Sequence, residues 1–246
     1  MVTVEMRPRA PDRLRQLVGS WQQAEGFAEV VASLRAGHGA TLDGVRGSAS
    51  ALVAAALADE CPGVLVVVCP HQGDIDDFAE ELKLFSERAA EKFPAWESLP
   101  GERVVKDEIF GDRVRLLKLL SQPNRPRLVV TSIQSLLQPV PAPARLAGQT
   151  RRLATGETLD VDELLKWLVA HGFHNTPAVA LPGEFSPRGG LLDIFAPDWF
   201  DPIRIELFGD QIESIRRFEV SSQRSLEVLP AIDVTALEIL EEDRSH

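Results

Sequence analysis

Gly44-Val45-Arg46-Gly47-Ser48-Ala49-Ser50-Ala51 stands before an alanine-rich stretch, where a phosphate-binding loop would hand a nucleotide to a helix N-terminus. That chemistry needs G-x-x-x-x-G-K-[ST], with a glycine, a lysine and a hydroxyl in its last three places. Those places hold Ala49, Ser50 and Ala51. Without the lysine nothing reaches the β/γ-phosphates, and without a hydroxyl at position 51 a Mg²⁺ ion loses its protein ligand. The pattern predicts a degenerate nucleotide loop at Gly44, Gly47, Ala49, Ser50 and Ala51 that does not bind nucleotide. An ordinary glycine-containing turn with a capped helix is the plainer alternative.

Other reactive residue types are spaced less tellingly. Asp107-Glu108-Ile109-Phe110 and Asp162-Glu163-Leu164-Leu165 resemble metal-binding acidic pairs, but neither follows a buried strand. The second falls inside an amphipathic helix, so solvated helix acids are the better reading. Cys69 and His71 lie two apart after a strand; a nucleophile pair needs a third group that the sequence does not supply, and a turn is expected instead. His171 and His174 flank a helix end, where a cap or a surface position is favoured over a metal site. No Gly-x-Ser-x-Gly elbow occurs, nor a basic tract interleaved with aromatics. No catalytic residue, cofactor or metal centre is expected.

The second informative segment is Gly183–Phe218. Arg188 precedes Gly189-Gly190, which permit a tight turn presenting the guanidinium outward. Arg204 and Glu206 are two apart on one strand, so they share a face, and Phe208 joins them. Phe185, Trp199 and Phe200 are placed in loops. Arginine and aromatics gathered on a small sheet resemble a protein-contact patch, where such residues carry most of the binding energy. Equally, the phenylalanines are core and Arg204 and Glu206 a solvated pair; the residues alone leave both readings open.

The elements that must position these groups follow from periodicity. Ser48–Asp59 reads as a helix, and Val64–Cys69 as a strand of the kind buried on both faces of a parallel sheet. Asp74–Arg88 is amphipathic through Ile75, Phe78, Ala79, Leu82 and Phe85. Residues 94–112 are loop-like, Arg113–Leu120 is a helix and Arg127–Thr131 a second buried strand. Strands separated by helices imply a parallel, helix-covered sheet. The closely spaced prolines at 139, 141 and 143 mark a boundary. Beyond it, Asp160–His171 is a helix capped by Thr158 or Asp160 and ended by Gly172. Leu191–Phe195 and Ile203–Phe208 are strands, the latter turning through Gly209-Asp210 into Gln211–Phe218. Imperfect alternation in that last strand suggests a bulge.

Composition bounds the function classes. The 246 residues, 44% of them apolar, suit one large domain or two modest ones. A formal charge of −11 excludes binding of a nucleic-acid backbone over the whole surface. Two cysteines provide neither a disulfide framework nor a four-ligand zinc site. The apolar stretches Ala49–Ala58 and Val64–Cys69 fall short of the roughly 20 residues a bilayer requires. The N-terminal residues lack the apolar core of a signal peptide. A soluble, cytoplasmic protein without membrane contact is expected.

Taken in order, Gly183-Glu184-Phe185, Arg188-Gly189, Leu192-Asp193-Ile194-Phe195, Arg204–Asp210 and Ser222–Glu227 resemble the UvrB-homology module of bacterial transcription-repair coupling factors. Trp96-Glu97-Ser98-Leu99-Pro100 is similar to that family's W-E-x-L-P segment. The resemblance runs from about residue 20 to the end. UvrB itself, an ATP-dependent helicase subunit of the excision nuclease, is the alternative. UvrB keeps the Walker lysine where Ser50 stands, and inserts a tyrosine-rich DNA-binding hairpin that a chain without tyrosine cannot supply.

The resemblance implies an α/β fold: a degenerate RecA-like domain over 20–145, a smaller α+β adaptor domain over 146–225, and residues 226–246 returning to the first. It implies recruitment of UvrA in transcription-coupled excision repair, with no nucleotide hydrolysis. RNA polymerase and DNA would be engaged by downstream domains, making the chain a fragment, and the module could dock on its own full-length protein. The UvrA-binding residues would be Arg188, Arg204 and Glu206, with Phe185 and Phe195 beside them. Ser186 and Asn175 occupy places where UvrB has further arginines, so the contact set is not identical.

Overall fold

A computed structural model describes residues 10–96 and 108–236. In chain order its elements begin with α1 (Ala10–Gln22), α2 (Phe27–Arg35), α3 (Ser48–Glu60), β1 (Leu65–Cys69), α4 (Asp74–Phe85) and β2 (Glu91–Phe93). There follow α5 (Glu108–Leu120), β3 (Leu128–Ser132), α6 (Ile133–Leu137), α7 (Pro143–Gly148), β4 (Thr150–Ala154) and α8 (Val161–Ala170). The chain continues with β5 (His174–Asn175), β6 (Glu184–Arg188), β7 (Leu191–Phe195), β8 (Ile203–Phe208), β9 (Gln211–Phe218), β10 (Ser225–Val228) and β11 (Ala231–Thr235). No helix among the described residues is long and apolar enough to cross a membrane.

Two compact units result. The first takes the described residues up to Ala95 together with Gln122–Leu137; the second takes Trp96, residues 108–121 and the described residues from Gln138 onward. In the first, β1, β3 and β2 form a parallel sheet in that order. Alanine favours the helix and lets backbones approach, so α3 buries Ala51, Ala54, Ala55, Ala56 and Ala58 beside α1 and α4. Leu128 and Val130 of β3 and Cys69 of β1 meet that helical layer.

The expectation that β1 is buried on both faces is corrected here. Val66 and Val68 are 47% and 40% exposed, whereas β3 is buried along its length. Among the described strands β1 lies at the sheet edge and β3 at its centre, and an apolar run alone does not tell these positions apart.

The second unit is built around α8. Asp160 is its N-cap, its carboxylate accepting from the Glu163 amide at 2.9 Å, and Gly172 beyond the C-terminus adopts φ 76°. Leu164 and Leu168 pack on Leu192, Ile194, Ile203, Ile205, Ile212 and Ile215 of a six-stranded sheet ordered β10-β9-β8-β7-β6-β5. Only β5 and β6 run parallel within it. The expected hairpin forms between β8 and β9, and its register shifts after Glu206, so β9 carries a bulge at Glu213.

Three placements differ from expectation. Residues 108–112, read as loop, start α5, because Phe110 and Val114 on one face fill a small cluster with Leu146. Trp96 and residues 108–121, expected within the first unit, belong to the second. Residues 226–236 do not return to the first unit: β10 pairs with β9 and β11 with β4, and Ile232 and Val234 alternate into the α8 core. Glu97–Pro100 of the W-E-x-L-P segment, and Asp107, lie outside the described residues. Trp96 is described, 5.9 Å from the Phe110 ring. The buried Arg113 stacks on Trp96 at 4.9 Å, and burial pushes its guanidinium pKa down to about 10.

Candidate functional site

The sheet of the second unit has two unlike faces. One is apolar and carries α8; the other follows from strand alternation and pairing register. Ser186 pairs with Asp193, Asp193 with Arg204, and Arg204 with Arg216, giving one polar row across β6, β7, β8 and β9. The next row places Arg188 opposite Leu191, Leu191 opposite Glu206 and Glu206 opposite Ser214. Arg188, Arg204 and Glu206, separated by up to 18 residues of sequence, thus share one face.

Asp193 is the hub. Its side chain is 1% exposed and accepts from Arg204 Nε at 2.7 Å, Arg204 Nη2 at 2.9 Å and Arg188 Nη2 at 2.5 Å. Arg204 Nη2 also donates to Gln223 Oε1 at 2.9 Å, and the guanidinium lies 4.5 Å from the Phe218 ring centre. The Asp193 hydrogen bond raises the Arg204 pKa above its ordinary value, burial opposing it. Two arginines directly opposite would repel, and Arg204 faces Arg216 across the ladder. Glu206 relieves this by pairing with Arg216 at 3.1 Å while accepting from Ser214 Oγ at 2.6 Å.

Arg188 keeps 45% of its side chain exposed and Arg204 21%. The Gly189-Gly190 turn is present, with Gly189 at φ 58°, but it leads Arg188 onto Asp193 rather than straight into solvent. Phe208, beside the hairpin turn, is 78% exposed. The expected positions of Phe185 and Phe195 are corrected: Phe185 lies off the charged face, whereas Phe195 shares that face with Asp193 but is not exposed on it. Phe185 is 1% exposed in the α8 core, and Phe195 is buried with Val179 and Phe218. Ser186 is buried, its hydroxyl donating to the Pro177 carbonyl at 3.0 Å. Sequence reasoning missed Asp193 and Arg216 as members of this site. A lone acid in Leu-Leu-Asp-Ile-Phe was the available signal for the first; the bulge at Glu213 hid the second.

In the first unit, the glycines of the Gly44–Ala51 loop adopt φ 77° at Gly44 and 55° at Gly47, and Gly47 precedes α3. Ala51 is fully buried, so a hydroxyl at that position would face the core. Ser48 Oγ donates to Glu81 Oε1 at 3.0 Å, which puts a carboxylate of α4 at the N-terminus of α3. Ser50 lines a cavity of about 620 Å³ whose other walls include Val66, Val68, Asp74, Asp77 and Glu81.

The remaining candidates take structural roles. Cys69 is 4% exposed and burial raises its thiol pKa; His71 is exposed and contacts Asp74 at 3.2 Å. The Arg151 hydrogen bond holds the exposed Glu163 carboxyl below its ordinary range. His171 Nδ1 lies 2.8 Å from the Trp167 carbonyl oxygen, and His174 is exposed on β5.

A small α8-backed sheet with a charged, partly exposed second face defines the class, and residues 152–238 match the UvrB interaction domain family. Similarity extends well beyond that domain. The chain is 36% identical over 229 residues to the transcription-repair-coupling factor of Myxococcus xanthus, covering 89% of this chain and 19% of that protein. It is 38% identical over 197 residues to that of Mycobacterium tuberculosis, covering 77% and 16%. With the Escherichia coli protein the identity is 30% over 202 residues, covering 82% and 18%. The chain is a UvrB-homology module of the transcription-repair-coupling-factor family, and it spans less than a fifth of the length of these relatives.

Proposed function

We propose that this module recruits UvrA in transcription-coupled nucleotide excision repair, acting as a docking surface rather than as an enzyme. The observation that carries the reading is the Arg188–Asp193–Arg204 cluster, in which Arg188 is 45% and Arg204 21% exposed, on the face of the family-matched sheet away from α8. Its two arginines together with Arg216, set against the carboxylates of Asp193 and Glu206, leave one net positive charge. Such a face suits an acidic group on the partner, to which guanidinium groups make charge-assisted bonds. Glu206 holds Arg216 in place, and the exposed Phe208 offers an apolar anchor beside the charges.

The first unit is read as a degenerate RecA-type domain that binds no nucleotide. The Ser48–Glu81 contact supports this, because an internal carboxylate already occupies the end of α3 that would meet phosphate. Asp74 and Asp77 add like charge around the adjacent cavity, where the phosphate-binding lysine is replaced by Ser50. ATP-driven translocation, RNA polymerase release and contact with DNA would then be work for other parts of a full-length factor. The reading places the protein in the cytoplasm.

Titration of UvrA into the wild-type chain and into Arg188→Ala and Phe208→Ala variants tests the docking. Each exposed truncation should weaken binding by about tenfold or more with an unchanged melt. Wild-type affinity in both would overturn the site. Calorimetry with Mg-ATP should give no binding heat, and a micromolar dissociation constant would refute the account of the Gly44–Ala51 loop.

A further inference from the structure

We propose that Asp193 is the positioning residue of the docking face, a buried carboxylate that clamps Arg188 and Arg204 into one fixed pair facing a partner carboxylate. The inference rests on the UvrA-docking reading and deepens it, assigning a role to a residue that does not itself reach the partner.

A carboxylate 1% exposed within the apolar strand Leu191–Phe195 is costly unless fully paired. Among the described residues both its oxygens are paired with the two guanidinium groups alone. Packing alone does not call for such an arrangement, since an apolar side chain of similar volume serves stability as well as a buried ion pair. What the carboxylate adds is direction. Arg204 is held on its Nε–Nη2 edge by Asp193, at Nη2 by Gln223 and across its plane by the Phe218 ring. Its Nη1 makes none of these bonds, so the remaining donors point away from Asp193. Among the described residues Arg188 is tied through Nη2 alone, leaving its other nitrogens for a ligand. A partner carboxylate then meets donors already ordered, and little rotamer freedom is lost on binding.

Charge and position predict opposite signs. Asp193→Asn removes one negative charge and makes the face more cationic, so electrostatics alone would strengthen binding to an acidic partner. Loss of the clamp would weaken it.

UvrA binding is measured on the full chain as wild type, Asp193→Asn and Gln223→Ala, with circular dichroism melts of each. Asp193→Asn should bind about tenfold more weakly, the change falling mainly in the dissociation rate. Gln223→Ala, on the exposed side of the clamp, should bind about threefold more weakly and decides the matter if the first variant does not fold. Unchanged or tighter binding by the folded variants overturns the inference and leaves the docking reading standing. A wild-type chain that ignores UvrA overturns the docking reading itself. Independently of UvrA, the Arg204 Nε–H nuclear magnetic resonance signal should be sharp and slowly exchanging in the wild type and lost in Asp193→Asn. A wild-type chain without that protected signal removes the clamp whatever UvrA does.

Discussion

Gly111→Ala is expected to destabilise the second unit by about 3 kcal/mol, the cost of forcing an extra carbon into a site with no room. A Cβ built on Gly111 falls 2.1 Å from the Pro197 carbonyl oxygen and 3.1 Å from its carbon. Both atoms are backbone, so no side chain can swing aside to make space. The sign is what makes the experiment informative. Glycine within a helix ordinarily costs about 1 kcal/mol relative to alanine, so at an open position of α5 the same substitution would raise stability. Here the close approach of α5 to Pro197 should reverse that gain. For a protein of this length the midpoint of thermal unfolding should fall by roughly 6–12 °C. A variant melting at or above the wild type would show that α5 does not sit against Pro197.

That contact also marks where sequence reading stopped. Local signals were legible wherever a residue type does one job within a few positions. Asp160 with Gly172 bounded α8, and Gly209-Asp210 with broken alternation announced the bulged hairpin. The near-miss at Ala49, Ser50 and Ala51 was legible for the same reason. The α5 contacts within the second unit, Gly111 with Pro197, Phe110 with Leu146 and Lys118 with Asp198, are pairings that no periodicity encodes. The fate of β1 depends on sheet order, since Val66 and Val68 read like the buried valines of β3.

The docking face was half legible. Alternation puts Arg204 and Glu206 on one side of β8, but it cannot tell which phenylalanines lie beneath them. Phe185 faces α8 because β6 alternates in phase with Leu192 and Ile194 of β7, a relation fixed by register rather than by composition. Asp193 looked like one letter of a motif; its role needs two arginines from neighbouring strands.

Lys118→Met should cost about 3 kcal/mol at neutral pH, because it strands a carboxylate that the fold has already buried. Lys118 Nζ lies 2.5 Å from Asp198 Oδ2 and donates to the Asp233 carbonyl at 3.1 Å; the two side chains are 16% and 3% exposed. Burial raises the Asp198 pKa above its ordinary value, and the charge and hydrogen bond of Lys118 oppose that rise. Removing the lysine deletes both opposing contributions, so the carboxyl pKa should climb further. A carboxyl whose pKa is higher in the folded than in the unfolded state favours folding below the unfolded value and loses that contribution as pH rises through the folded one. The deficit of Lys118→Met against the wild type should therefore be widest at neutral pH and narrow on acidification, as Asp198 takes up a proton. Adding Asp198→Asn should recover most of the lost stability and flatten this pH dependence, since an amide carries no charge to strand. Denaturant titrations of the three proteins between neutral and mildly acidic pH decide it. A deficit that stays constant with pH, or a double variant no more stable than Lys118→Met, would show that Asp198 is not held as a buried ion by Lys118.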